Sequence, residues 1–325
     1  MARLMTGNQM VESVRNRTMT PDDTSIFTDD NILDILHEEM TSQVLDKLIV
    51  LHGENLTISE DIPRNAKGEY EIPYRAVGNK LRDISTVSGG RLYELAQISI
   101  GELPDYSFNE GTYSNMDLFY VENNKVKLVN PSRSYDTIRI KYYLRPNYLT
   151  KVDQAGVISN IVIDENAGTV TFALSQVGRQ FNSTEQFDII GKRTPNKIKN
   201  FDLNAASLTV DQGSNPTGTI IFNLADIESI EDIIIGDYIS LAQETPVPNI
   251  PTEMHPLLAQ AAAVQLLEAM SDTEAFNTAS KRLMSITKAV QILIDDRVEL
   301  APKKIKPRHG TLNQQIKSRR TKGSF

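Results

Sequence analysis

The chain has no cysteine and no tryptophan, and aromatic residues fill only 6% of its 325 positions. Without thiols there can be no disulfide, no thiolate nucleophile and no Cys-ligated zinc or iron–sulfur site. Absence of cysteine fits cytosol and exterior alike, so it identifies no compartment. The scarcity of rings weighs against a carbohydrate-binding platform built on stacked aromatic faces. No run of about 18 apolar residues occurs, so no membrane span and no membrane partner are expected. The opening residues, MARLMTGNQMVESVRNRTMT, lack the continuous apolar core of a secretory signal. The expectation is therefore a protein made and folded in a cytoplasm.

Catalytic signatures are missing too. There is no G-x-S-x-G, no P-loop and no G-x-G-x-x-G. The four histidines, His37, His52, His255 and His309, show no H-E-x-x-H or other ligand spacing, so they read as structural or surface residues. His255, beside Pro256, belongs in the first turn of a helix, where proline is well accepted. Acidic pairs stand at Asp22-Asp23, Asp29-Asp30, Glu38-Glu39, Asp164-Glu165, Glu231-Asp232 and Asp295-Asp296. A carboxylate hydrolase needs two such groups converging on a cleft, one with a raised pKa. Helix ends, turns and polar faces account for these pairs instead. No catalytic residue, cofactor site or metal site is expected, and the chain is read as a non-enzyme.

Charge, by contrast, is present and unevenly placed. The formal net charge is −8, from 34 basic and 42 acidic residues. Residues 301–325 hold eight cations, Lys303, Lys304, Lys306, Arg308, Lys317, Arg319, Arg320 and Lys322, and no acid. Taking those eight from the 34 leaves 26 basic against 42 acidic groups, so the remainder carries about −16. An acidic body with a cationic tail points to self-association or to docking on an acidic neighbour. Free nucleic-acid binding is the weaker reading, since the body repels phosphate. Pro302 and Pro307 stiffen the tail, and Ile305, Leu312, Ile316 and Phe325 are spaced as anchors for a partner.

Periodicity then divides the chain. Residues 1–25 read as a flexible polar arm. Thr28 is placed to cap a helix, with Phe27 and Ile32 in staple positions and Asp29 and Asp30 at its positive end. Leu33, Leu36, Met40, Val44 and Leu48 continue one apolar stripe to about Val50. Asn65–Gly68 has hairpin-turn composition, and strands are expected around 81–87 and 91–95. From 117 to about 241 the period becomes two, giving strands at 118–122, 125–129, 137–144, 157–164, 169–174, 187–191, 198–203, 208–210, 219–223 and 238–241. Residues 226–234 fit a short helix or a strand. At 249–300 a proline-led, Ala-rich helix, a Ser271-Asp272 break and a second helix form an αα-hairpin. Phe276, Ala279, Leu283, Ile286, Val290 and Leu293 make a helix-packing seam. There is no internal repeat.

The expected fold is α+β: an α-helical bundle of N- and C-terminal helices, a large inserted antiparallel β domain (sandwich or barrel), and an extended C-terminal tail. Its parts would be the arm at 1–25, a first helical part with short hairpins at 26–110, the β insertion at 111–245, the αα-hairpin at 246–300 and the tail at 301–325.

The opening helix FTDDNILDILHEEMTSQVLDKLI, the stretch EDIPRNAKGEYEIPYRAVGNKLRDISTVSGGRLYEL, and GDYISLAQETPVPNIPTEMHPLLAQAAAVQLLEAMSD near the end together carry a resemblance. With VENNKVKLVNPS and TIRIKYYLR between them, they resemble the head-to-tail adaptor (neck or connector) proteins of tailed bacteriophages, particularly the short-tailed type. The most characteristic phrase is P-x-E-x-H-P-L-L, here Pro251, Glu253, His255, Pro256, Leu257 and Leu258. The resemblance covers most of residues 26–300 as a pattern, with no invariant motif.

What the resemblance implies is a structural virion protein, assembled in the host cytoplasm. Such a protein forms a ring, usually of twelve copies, beneath the portal protein. The ring extends the channel for double-stranded DNA, without sequence recognition, and docks tail or nozzle proteins. By position, the eight tail cations would dock the portal, and Phe276, Leu283, Ile286 and Val290 would lie at helices of the ring interface. Three other readings stay open: a receptor- or glycan-binding tail module, another ring (terminator) of the same neck, and a carboxylate-based glycosidase or peptidase.

Overall fold

A computed structural model of the chain describes residues 4–20, 27–102, 118–129, 135–192, 197–211 and 217–294. All of these belong to one unit, Met1–Ile294. Helix α1 (Gly7–Thr18) opens on a capping box in which Thr6 and Gln9 satisfy each other's free amides. Helix α2 (Asp29–Glu39) starts where the sequence places it, with the Thr28 hydroxyl accepting from the Asn31 amide. It runs through a π-helical segment, Met40–Val44, into α3 (Leu45–His52). The αα-hairpin is α4 (His255–Ala269) followed by α5 (Thr273–Ile294).

Strand occupies most of the rest. In order come β1 (Thr57–Pro63), β2 (Glu69–Glu71), β3 (Ala76–Ser88), β4 (Arg91–Glu94), β5 (Ala96–Gln97), β6 (Leu118–Glu122), β7 (Lys125–Leu128), β8 (Thr137–Leu144) and β9 (Tyr148–Leu149). They are followed by β10 (Gly156–Asp164), β11 (Thr169–Ser175), β12 (Gln186–Ile190), β13 (Ile198–Asn204), β14 (Ser207–Asp211), β15 (Thr217–Asn223), β16 (Tyr238–Leu241) and β17 (Glu244–Thr245). One sheet has the order β1-β8-β3-β4, a second β2-β7-β6-β5, and the largest β13-β12-β16-β10-β11-β15-β14; β17 pairs with β9. The alternation in TIRIKYYL shows why β8 forms. Ile138, Ile140, Tyr142 and Leu144 are buried, while Arg139 and Lys141 reach Asp61 and Asp83 on the flanking strands.

This architecture overturns the expected fold class. The described structure is mostly β, in several sheets, with four helices when α2–α3 is taken as one continuous rod; two of the four lie near the C-terminal end. It is not a helical bundle carrying an inserted β domain. The reason is visible in the strand pairing. Strands β1 and β3, from the part at 26–110 assigned to the helical domain with its short hairpins, flank β8, from the stretch expected to be the insertion. A sheet shared across that boundary makes the β structure the frame and not an insert.

Three local expectations change as well. Residues 7–18, expected within a flexible arm, form α1, with Met10, Val11 and Val14 buried. The Asn65–Gly68 turn closes by a Gly68 amide to Asn65 carbonyl bond, yet its flanking strands do not pair with each other. Strand β1 pairs with β8 and β2 with β7. The ambiguous stretch 226–234 holds one short 3-10 turn, Ile230–Asp232, just after another at Leu224–Asp226.

The interior falls into a helical cluster and two main β clusters. The helical one joins Met10, Ile32, Leu36, Leu48, Leu258 and Leu266 from α1, α2, α3 and α4. The large sheet buries Phe172, Phe187 and Phe222, whose rings meet edge-on at 5.9 and 6.1 Å. No helix among the described residues is long and apolar enough to cross a membrane.

Candidate functional site

A cleft of 480 Å³ opens between two sheet margins. Strand β1, the outer strand of its sheet, supplies one wall, and β13, the outer strand of the large sheet, supplies the other. Carboxylates dominate the lining: Glu60 and Asp61 from β1, Asp202 from β13, and Asp226 and Glu228 from the turn after β15. Tyr74, Tyr142 and Phe201 add ring surface.

At the inner end sits Arg75, 5% exposed, in the turn before β3. Its guanidinium forks onto Asp188 at 2.8 and 2.9 Å and onto Asp202 at 2.5 and 3.1 Å. Asp188, with no exposed surface, also accepts from Asn147 Nδ2 at 2.7 Å and from the amides of Asp202 and Gln243 at 3.0 Å. The Tyr74 hydroxyl donates to Asp202 at 2.5 Å, and the Phe201 ring lies 5.1 Å from the guanidinium carbon. Burial alone would lower the Arg75 pKa. The hydrogen bonds to Asp202 and the charge of Asp188 outweigh it, so the group is held charged above its ordinary value. This is a closed ion-pair network that fastens the β3 sheet to the large sheet.

The outer carboxylates are less well matched. Asp61 is clasped by Arg139 at 2.6 and 2.7 Å. Among the described residues, Glu60, Asp226 and Glu228 have no ion-pair partner. Desolvation in the cleft wall, then the charges of Glu228 and Asp202, push the Glu60 carboxyl above its usual range. Burial, then Glu60, pushes the Tyr142 phenol up to about 12. The floor includes Asn200, 2% exposed. Its Oδ1 accepts from the Glu228 amide at 3.0 Å, which orients the side-chain amide, and its Nδ2 has no partner among the described residues.

The sequence-singled residues lie elsewhere. His255 is fully buried at the start of α4, with Nδ1 accepting from the Met5 amide at 3.2 Å. Burial lowers its pKa to about 4, against the opposing pull of the Ile250 backbone and Glu253. Leu257 and Leu258 are buried beside it. Val290 joins the helical cluster and Leu283 and Ile286 pack on it, so these seam side chains serve packing within the chain; Phe276 is half-buried. Leu293, counted in the same seam, is 69% exposed. Lys303, Lys304, Lys306, Arg308, Lys317, Arg319, Arg320 and Lys322 lie outside the described residues, as do Asp22-Asp23, Asp295-Asp296 and His309.

Of the other acidic pairs, Asp29 is bonded to Arg15 and Asp30 to Lys151, while Asp164 accepts from the Asn166 and Ala167 amides of its turn. No group of three or more metal-binding side chains occurs among the described residues. Sequence reading missed Arg75, whose partners are 113 and 127 positions away. No local pattern announces such a pairing. No family model matches the chain, and no curated protein matches its sequence.

Proposed function

We propose that this chain is a structural virion protein, an adaptor whose copies form a ring between the portal and the tail of a short-tailed bacteriophage. The observation that carries the reading is the sequence pattern of residues 26–300, centred on Pro251, Glu253, His255, Pro256, Leu257 and Leu258. In support, this phrase lies in the helical core: His255, Leu257 and Leu258 are buried, and the Met5 amide reaches back to the imidazole. The proposal does not depend on a helical bundle. A ring subunit needs a rigid frame with exposed edges, and sheets satisfy that as well as helices do.

The charge asymmetry has a use in such a ring. An acidic lumen lets double-stranded DNA slide without adhering, and the cationic segment 301–325 holds an acidic neighbour outside the channel. The test is mass determination in solution, with and without the portal ring and with residues 301–325 deleted. The expected result is a closed ring on the portal that the deletion weakens. A chain that stays monomeric and ignores the portal overturns the reading.

A further inference from the structure

The cleft between β1 and β13 is the part of the molecule whose chemistry is incomplete. Its inner end is satisfied by the Arg75 network, but its outer part is not. Glu60, Asp226 and Glu228 converge there without a cation among the described residues, and all three are exposed to solvent. A cluster of carboxylates could be no more than a solvated rim. Asn200 argues otherwise: a side-chain amide 2% exposed, oriented by the Glu228 amide, keeps a donor without an acceptor among the described residues. A buried unmatched N–H is costly, so a native site that carries one commonly has an acceptor to receive it. The missing complement is therefore both a cation and a hydrogen-bond acceptor.

A basic polypeptide segment offers the two together, with its carbonyls for Asn200 Nδ2 and its side chains for the acids. The walls suit a polypeptide for other reasons. Both flanking strands are the outer strands of their sheets, and an extended segment can add along such an edge. Tyr74, 57% exposed, and Phe201 give ring surface for the stems of lysine or arginine. The volume, 480 Å³, falls in the range of about 300–1,000 Å³ typical of binding clefts.

We propose that this cleft is a docking site for a cationic segment of a second copy of the chain, residues 301–325. Charge complementarity selects that occupant: eight cations and no acid over 25 residues, against a remainder of the chain that is net acidic. Pro302 and Pro307 each have one backbone angle fixed by the ring, a property of the sequence that lowers the entropy lost on docking. The inference stands apart from the adaptor reading. That reading gives the same segment to the portal, and in the absence of a portal the acidic surface available is another copy's.

The experiment titrates a fluorescently labelled peptide of residues 301–325 into the full-length chain and follows anisotropy at low and high salt. Binding that weakens with salt is expected. The double variant Glu60→Gln/Glu228→Gln should weaken it about tenfold or more, the factor for one charge-assisted hydrogen bond. Neither side chain has an ion-pair partner to lose among the described residues, so the fold should survive, and circular dichroism checks that. The paired control Asp164→Asn/Glu165→Gln removes the same charge from the β10–β11 turn and should leave affinity unchanged. Asn200→Leu should weaken binding at both salt concentrations. Absence of binding, or equal loss in both double variants, overturns the proposal. Failure here with portal binding intact rejects the cleft alone, and the reverse rejects the adaptor reading alone.

Discussion

At Gly7, where α1 enters the core, a Cβ would stand 2.1 Å from the Thr150 carbonyl oxygen. The glycine is there to allow that approach, not for an unusual backbone angle. Gly7→Ala should therefore cost about 1–3 kcal/mol, the usual range for overpacking, and lower the urea midpoint without changing the slope. His255 makes a second residue-scale prediction. Its pKa, lowered by burial to about 4 from an ordinary 6.5, keeps it neutral in the fold. The unfolded chain takes up that proton first, so stability falls as pH drops from 6.5, and this residue's contribution is fully lost below 4. Between pH 7.5 and 5 the loss from this residue is about 2 kcal/mol. His37, also lowered by burial, adds in the same direction, and Glu39, raised by burial, opposes both. Denaturant titrations of His255→Asn at several pH values should show a shallower decline from pH 7 to 5; an unchanged slope would assign the effect to other groups.

At the scale of elements, much was legible because period and turn chemistry are local. The alternating stretches at 137–144 and 238–241 are β8 and β16 as read, and most other strands differ by a residue or two. Asn123 and Asn124, both at positive φ of 50° and 59°, close the β6–β7 hairpin. Asparagine tolerates that left-handed pair and β-branched residues do not. Asn123→Val should destabilise the protein by about 1–3 kcal/mol, while Asn124→Gly should be neutral or stabilising, as read from thermal midpoints. Helix α1 was missed because its sequence, GNQMVESVRNRT, is polar outside a narrow stripe. Its stability comes from partners remote in the chain, such as the Arg17 bond to Gln260. The same limit hid which strands pair: the turn at Asn65–Gly68 has hairpin composition, but β8 and β7 compete for its two arms. Composition specifies a turn, whereas pairing depends on strands far along the chain.

For the molecule as a whole, the fold class and the candidate cleft depend on long-range pairing, and Arg75 is where that pairing is concentrated. The guanidinium joins the turn before β3 to β12 through Asp188 and to β13 through Asp202, while Asn147 ties in the segment leading to β9. Taken alone, a buried ion pair adds little net stability, because desolvation offsets its attraction. Removing one partner is a different matter: Arg75→Met leaves Asp188 buried and uncompensated at the junction of two sheets. The expected cost is about 3–5 kcal/mol, with Asp188→Asn in the same background restoring part of it. Because the network spans sheets, the loss should also be regional. Hydrogen exchange should quicken in β12 and β13 well before it does in α4, whose helical core contains none of these groups. Uniform acceleration across strands and helices would mean that the sheets are coupled through packing alone. Selective opening at β13 would also remove a wall of the acidic cleft, so Arg75→Met should weaken binding of the cationic peptide without altering any outer carboxylate.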